Sequence, residues 1–234
     1  MIVLGIETST PHTSVAIGTE QGIVASSLLA SPTPSHEVVV PSLEHLLTWS
    51  RIDRASIGGI AVGIGPGLFT GLRVGVQTAK SLAQVLHVPI VGLASLDVLA
   101  FAVRYSRRSI GAVIDARRGE VFFAFYRPVP GGVAREGGFR VGPPDHLQAE
   151  LEAFGQEVLL VGNGAILYRR ELEELGSQVE FGAAVHAHPH ATALVELSIP
   201  RFLREEHDRL YDVAPLYLRK SDAEIAWDQR SRTG

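Results

Sequence analysis

Residues 61–75, AVGIGPGLFTGLRVG, run from an apolar stretch through a Pro/Gly corner into a helix start. Glycines ahead of a helix N-terminus leave backbone N–H groups open beside the positive end of the dipole, which suits an anion. The same glycines could serve only to turn a strand sharply and bring the helix close to its sheet. Known phosphate devices help to decide. A P-loop enters its helix on Gly-Lys-Ser/Thr, whereas this corner reads Gly71-Leu72-Arg73 and lacks both the lysine and the magnesium-binding hydroxyl. The dinucleotide fingerprint is matched only loosely by Gly65-x-Gly67-x-x-x-Gly71. Ile-Val-Gly-Leu at 90–93 supplies no acid for a ribose.

Two carboxylates stand in matching places. Glu7 ends the apolar run IVLGIE ahead of Thr8-Ser9-Thr10, and Asp115 ends IGAVID ahead of ARRGE. In such a turn a carboxylate caps backbone N–H groups as readily as it meets a ligand. His186, His188 and His190 alternate as strand ligands to a metal would, but Pro189 interrupts them and no nearby acid completes a set. A loop before the helix TALVELSIPRFLRE is expected there. The absence of cysteine excludes disulfides, thiolate metal sites and a Cys nucleophile. No G-x-S-x-G occurs, so a serine-nucleophile elbow is not supported.

The elements that must carry these residues can be read from periodicity. IVLGIE, TSVAIG and GIVASSLLA read as three strands around the Glu7 turn. A helix follows over roughly 38–49, with Ser35 as a candidate cap and Pro41 as a kink or true first turn. IGGIAVGIG is a buried strand, and the helix after the corner carries an apolar stripe through Leu72, Val76, Ala79, Leu82, Ala83 and Leu86. The order strand, acid, turn, strand, then strand, glycines, helix recurs from 110 onward, where EVLLVGNGAILYRREL mirrors the first corner. A degenerate duplication predicts two similar α/β lobes with a cleft between them: residues 1–103, joined by the tail 221–234, and residues 104–220. No run reaches the roughly 18–20 apolar residues of a membrane span, and Glu7 stands where a signal peptide would stay apolar, so a cytoplasmic chain that contacts no membrane is expected.

Taken together, LGIETST…TSVAI, VGIGPGLFTGLRVGVQTAKSLA, IVGLASLDVLA, VIDARRGEVFFAFY and APLYLR resemble the TsaB (YeaZ) family of tRNA threonylcarbamoyladenosine biosynthesis proteins, in order from residue 2 to about 219. The resemblance implies the duplicated, two-lobed actin/Hsp70-like (ribonuclease H-like) fold. It also implies a non-catalytic paralogue of TsaD. TsaD carries a metal-binding V-x-H-x-x-x-H after its corresponding strand, and here Ser95 and Leu99 fall at the two histidine positions. Glu7, Thr8, Asp115 and Gly67 then count as vestigial phosphate-turn positions. No catalytic residue, metal or cofactor of its own is expected, ATP and metal being used by the partner complex.

The implied partners are TsaD, in a heterodimer through the first-lobe helices, and TsaE, with tRNA reached through the complex. The isolated chain is expected to form a homodimer. The interface is expected at Val39, Leu43, Leu46, Leu72, Gly75, Val76, Ala79, Lys80 and Leu82, where apolar surface exceeds what one sheet face needs and Gly71 and Gly75 keep one helix side small. Direct tRNA contact, if any, falls to Arg104, Arg107, Arg108, Arg117 and Arg118. They lie in a stretch, 104–127, that is locally +4 within a chain of net charge -4. Competing classes are an actin-fold ATPase or kinase, and a peptidase, each with its own active site.

Overall fold

The computed structural model describes residues 1–30 and 34–219. Its first sheet has the order β3-β2-β1-β4-β5. Strands β1 (Ile2–Glu7), β2 (His12–Thr19) and β3 (Gly22–Ala30) form an antiparallel meander; β4 (Ile57–Gly65) and β5 (Ile90–Ala94) then add in parallel to β1. The second sheet repeats this plan as β8-β7-β6-β9-β10, from β6 (Ser109–Arg117), β7 (Glu120–Val129), β8 (Gly132–Gly142), β9 (Val158–Val161) and β10 (Val179–Phe181). The repeat inferred from the two acid-bearing turns is therefore a repeat of topology.

Helices cover both faces. On the first sheet, α1 (Ser35–Ser50) and α2 (Phe69–Leu86) bury Val39, Leu43, Leu46, Val76, Ala79 and Ala83 against Ile6, Val15, Ile60 and Val62. On the second sheet, α4 (Pro144–Phe154), α5 (Asn163–Leu167) and α6 (Arg169–Leu172) occupy the equivalent face. Strand β7 shows why its sequence alternates bulky residues: Val121, Phe123 and Phe125 pack toward α4, while Phe122, Ala124 and Tyr126 pack toward the other lobe.

Between the sheets lie α3 (Ser95–Phe101) and α7 (Ala191–Leu203). α3 serves both lobes. Val98 and Phe101 join the core on the first sheet, and Leu96, Leu99 and Ala100 join that of the second. α7 lies within the expected second lobe, 104–220, yet its Ala191, Leu194, Val195 and Phe202 pack on the first sheet with Val3, Ala16 and Val91. The chain thus returns to the first lobe thirty residues before the expected boundary, and α7 completes with α3 the apolar cover on the inner face of that sheet. The expected placement of the tail 221–234 lies outside the described residues.

Two local expectations change. Pro34, not Ser35, precedes α1, and no side chain caps it; Ser35 Oγ accepts instead from Thr13 Oγ1. Pro41 lies inside the helix on its exposed side. No helix among the described residues is long and apolar enough to cross a membrane.

Candidate functional site

The glycine corner opens at Gly65, whose φ of 97° an L side chain rarely adopts, and α2 begins at Phe69 without a side-chain cap. What fills the corner is the chain's own β1–β2 turn. Leu68 N donates to Ser9 O (2.7 Å) and Thr8 Oγ1 to Gly71 O (2.7 Å). A Cβ on Gly67 would overlap Ser9 O, one on Gly71 would overlap Thr8 O, and one on Gly75 would overlap Thr8 Oγ1. Thr8 and Ser9 are fully buried as a result. The glycines thus admit a neighbouring backbone where a phosphate cradle would admit an anion, and one N–H of the corner is already spent on that backbone.

Glu7 is equally enclosed, with 1% of its surface exposed. Its Oε1 accepts from Ser9 N (2.7 Å) and its Oε2 from Ser95 Oγ (3.0 Å), while Ser95 Oγ accepts from Gly65 N (3.2 Å). Burial pushes the Glu7 carboxyl above the usual carboxylate range, outweighing these hydrogen bonds. Gly63 makes the space, since a Cβ there would overlap the carboxylate.

Asp115 repeats the cap in the second lobe. Its Oδ1 accepts from Arg117 N (2.8 Å), two residues on as in the Glu7 turn, and Oδ2 pairs with Arg117 Nη1 (3.4 Å). Asp115 N donates to Asn163 Oδ1 (3.1 Å) at the second glycine corner, where Gly162 lies close against Val113 O. Both acids are occupied as turn caps. Ser95 and Leu99 likewise do not form a site together: Ser95 is bonded to the Glu7 turn, and Leu99 is buried in the core of the second lobe.

The assigned interface residues need correcting. Val39, Leu43, Leu46, Leu72, Gly75, Val76 and Ala79 are buried within this chain, most of them in the first-lobe core. An amphipathic helix has one apolar stripe, and here the sheet takes it. Lys80 Nζ donates to Val213 O (2.9 Å) and Tyr211 O (3.4 Å), holding the C-terminal segment. Leu82 is half-buried at the margin. The side of α1 and α2 that does face outward carries Val40, His45, Trp49, Arg73, Gln77 and Val85, with Trp49 and Val85 each 75% exposed. Between α2 and residues 213–217 it bears a groove of about 700 Å³, edged by His36, Arg73, Lys80 and Tyr217.

The arginines divide into two places. Arg104 pairs with Glu196 (3.0 Å) and Arg108 with Glu180 (3.0 Å) on the link between the lobes, beside exposed Arg107. Arg117 and Arg118 form the β6–β7 turn, both with positive φ. Acids thus offset much of the +4 counted along the sequence.

Among the described residues, no group of three His, Asp or Glu is placed to hold a metal. The histidine run instead makes a contact invisible in the sequence. His188 meets the ring of His12 edge-on at 3.6 Å, and Nδ1 of each is buried without a partner. Burial, with His12 and His190 alongside, pulls His188 down to about 4. An unfolded chain takes up this proton below the ordinary value of 6.5, and the folded chain resists until about 4. Stability is therefore present above 6.5 and lost as pH falls through that window. The Tm of the wild-type chain should drop between pH 7 and 4 by roughly a few degrees more than that of His188→Gln, measured by circular dichroism. Parallel pH profiles for the two would refute the assignment.

The chain matches, over residues 31–227, the family model described as TsaD, tRNA N6-adenosine threonylcarbamoyltransferase. A Bacillus subtilis relative, "tRNA threonylcarbamoyladenosine biosynthesis protein TsaB", is 28% identical over 97% of this chain and 98% of its own length. The solved structure of YeaZ from Pseudomonas aeruginosa superposes with a TM-score of 0.80, at 26% identity over 93% of this chain and 99% of that one. Component A of an Acidaminococcus fermentans 2-hydroxyglutaryl-CoA dehydratase, at 13% identity and a TM-score of 0.50 over 86% of this chain and 98% of its own, shares the fold alone. That duplicated actin/Hsp70-like fold, the reach of the family match and the near end-to-end alignment agree: the chain belongs to the TsaB (YeaZ) family, within the wider relationship to TsaD.

Proposed function

We propose that this chain is a non-catalytic cytoplasmic subunit that binds and activates TsaD. With TsaE, it supports transfer of threonylcarbamoyl from threonylcarbamoyl-AMP to the tRNA adenosine beside the anticodon. One observation carries the reading: the groups that could do chemistry in this fold are consumed internally. Glu7 is bolted to Ser95, Asp115 caps its own turn, and Leu99 is core, and among the described residues no group of three His, Asp or Glu could hold a metal. What the chain offers outward is a helix face with an apolar, cation-edged groove. That face is the docking surface for TsaD, and for a second copy when the chain is alone; tRNA is reached through the complex. Because Val39, Leu43 and Leu46 are buried within the chain, the proposed surface uses the outward side of these helices instead.

Reconstitution with TsaD and TsaE, assaying modified tRNA with and without this chain, tests the role. Equal modification without it would overturn the proposal, and metal-dependent ATP turnover by the pure chain would favour an enzyme instead. For the docking face, Trp49→Glu with Val85→Glu should lower TsaD affinity at least tenfold in calorimetry while leaving Tm within about 2 °C of wild type. Unchanged affinity would remove the face from the interface.

A further inference from the structure

Ligands of open α/β sheets bind in the crevice outside the carboxyl ends of the parallel strands. In this chain β4 and β6 end at that crevice, one in each lobe, and their ends are joined by the chain itself. The irregular segment after α7 runs first along the first lobe. Asp208 N donates to Ile90 O (2.9 Å), Asp208 Oδ2 accepts from Gly92 N (2.8 Å), and Val213 is buried in the first-lobe core. It then reaches the glycine corner. Leu216 N donates to Ile64 O (2.7 Å), and the Tyr217 ring stacks on Phe69 at 4.8 Å while its hydroxyl accepts from Arg73 Nε (3.1 Å). Two residues later it is on the other lobe. Leu218 packs against the second-lobe core, Arg219 Nη2 donates to Ala116 O (2.9 Å), and Arg219 Nη1 pairs with Glu120 across the acid-bearing turn.

We propose that residues 213–219 act as a strap that takes the place of a bound ligand as the bridge between the lobes, holding them at one fixed angle. Two-lobed proteins of this kind close when something contacts both lobes at once, and a hinge closes only around what it binds better in the closed state. Here each lobe offers the strap what a ligand would need to find. The corner contributes a carbonyl and an aromatic face; the second turn contributes a carbonyl and a carboxylate. Because the strap is covalently part of the chain, its effective concentration is fixed and the lobes need no small molecule to stay together.

The chain has no cysteine, so two can be introduced at exposed positions, one per lobe, as Ala55→Cys and Glu152→Cys. Spin labels there, in molecules diluted with unlabelled chain, report the interlobe distance by pulsed electron paramagnetic resonance. A single narrow distribution is expected for the otherwise wild-type chain. Arg219→Ala should broaden it and extend it to longer distances, and Glu120→Gln should do the same from the opposite side of the contact. The exchange Arg219→Glu with Glu120→Arg should narrow it again. Should Arg219→Ala fail to fold, Glu120→Gln, a half-buried turn residue, carries the test. A distribution that stays narrow and unshifted in the folded single variants, or a broad one in the wild type, overturns the proposal.

Discussion

Leu43→Glu is expected to leave the chain unfolded at 25 °C, with no helical circular dichroism transition and no soluble partner to bind. Leu43 is 5% exposed on α1 and belongs to one core with Val15, Ile17, Ile60 and Val76. Removing it forfeits roughly 1.5–3 kcal/mol of apolar burial. The incoming carboxyl then meets no cation or donor among those neighbours, and an unpaired buried charge costs roughly 3–5 kcal/mol more. A domain holds about 5–15 kcal/mol in total, so the sum removes most of its stability. Val39→Glu, at 1% exposure in the same core, should behave alike. Had these residues faced a partner, as their place on an apolar helix suggests, the variants would be folded monomers of normal Tm that merely fail to bind TsaD. Measuring Tm before any pull-down separates the two, and a well-folded Leu43→Glu would refute the burial argument.

The same residues show what the sequence could and could not convey. Periodicity finds the stripe of α1 and α2 because 3.6-residue spacing is a property of one helix. It does not say whether the stripe meets a sheet or another molecule, since both are apolar. The duplication was legible because each half carries the same local grammar of strand, acid, turn and glycine corner, and β6–β7 repeats β1–β2 down to the i+2 cap on the acid. Contacts between distant segments left no such trace. Ser95 on Glu7, His12 on His188, Lys80 on Val213 and Arg219 on Glu120 join residues 88 to 176 positions apart in sequence. The path of residues 204–219 was equally hidden, because an irregular segment has no period to read. For α7, periodicity gave the helix correctly but was silent on which sheet it covers.

Gly71→Ala should lower the Tm on the order of 10 °C, and its sign is the informative part. In an exposed helix interior, alanine is favoured over glycine by about 1 kcal/mol, so a glycine kept small only for a partner helix would give a more stable monomer when replaced. In this chain the added Cβ overlaps Thr8 O, a backbone atom that cannot rotate away. Either α2 or the Glu7 turn must shift, at about 1–3 kcal/mol for overpacking, and the Thr8 Oγ1 bond to Gly71 O is strained or lost at about 1 kcal/mol more. Gly132→Ala, where a Cβ meets open space on β8, is the size-matched control and should move Tm little. Gly75→Ala refines the point, because its clash is with the side-chain oxygen of Thr8. Thr8→Ala vacates that position, so the cost of Gly75→Ala should shrink in the Thr8→Ala background, while the cost of Gly71→Ala, which is set by the backbone, should largely persist. A Gly71→Ala chain more stable than wild type would mean that the small side of α2 was built for another molecule.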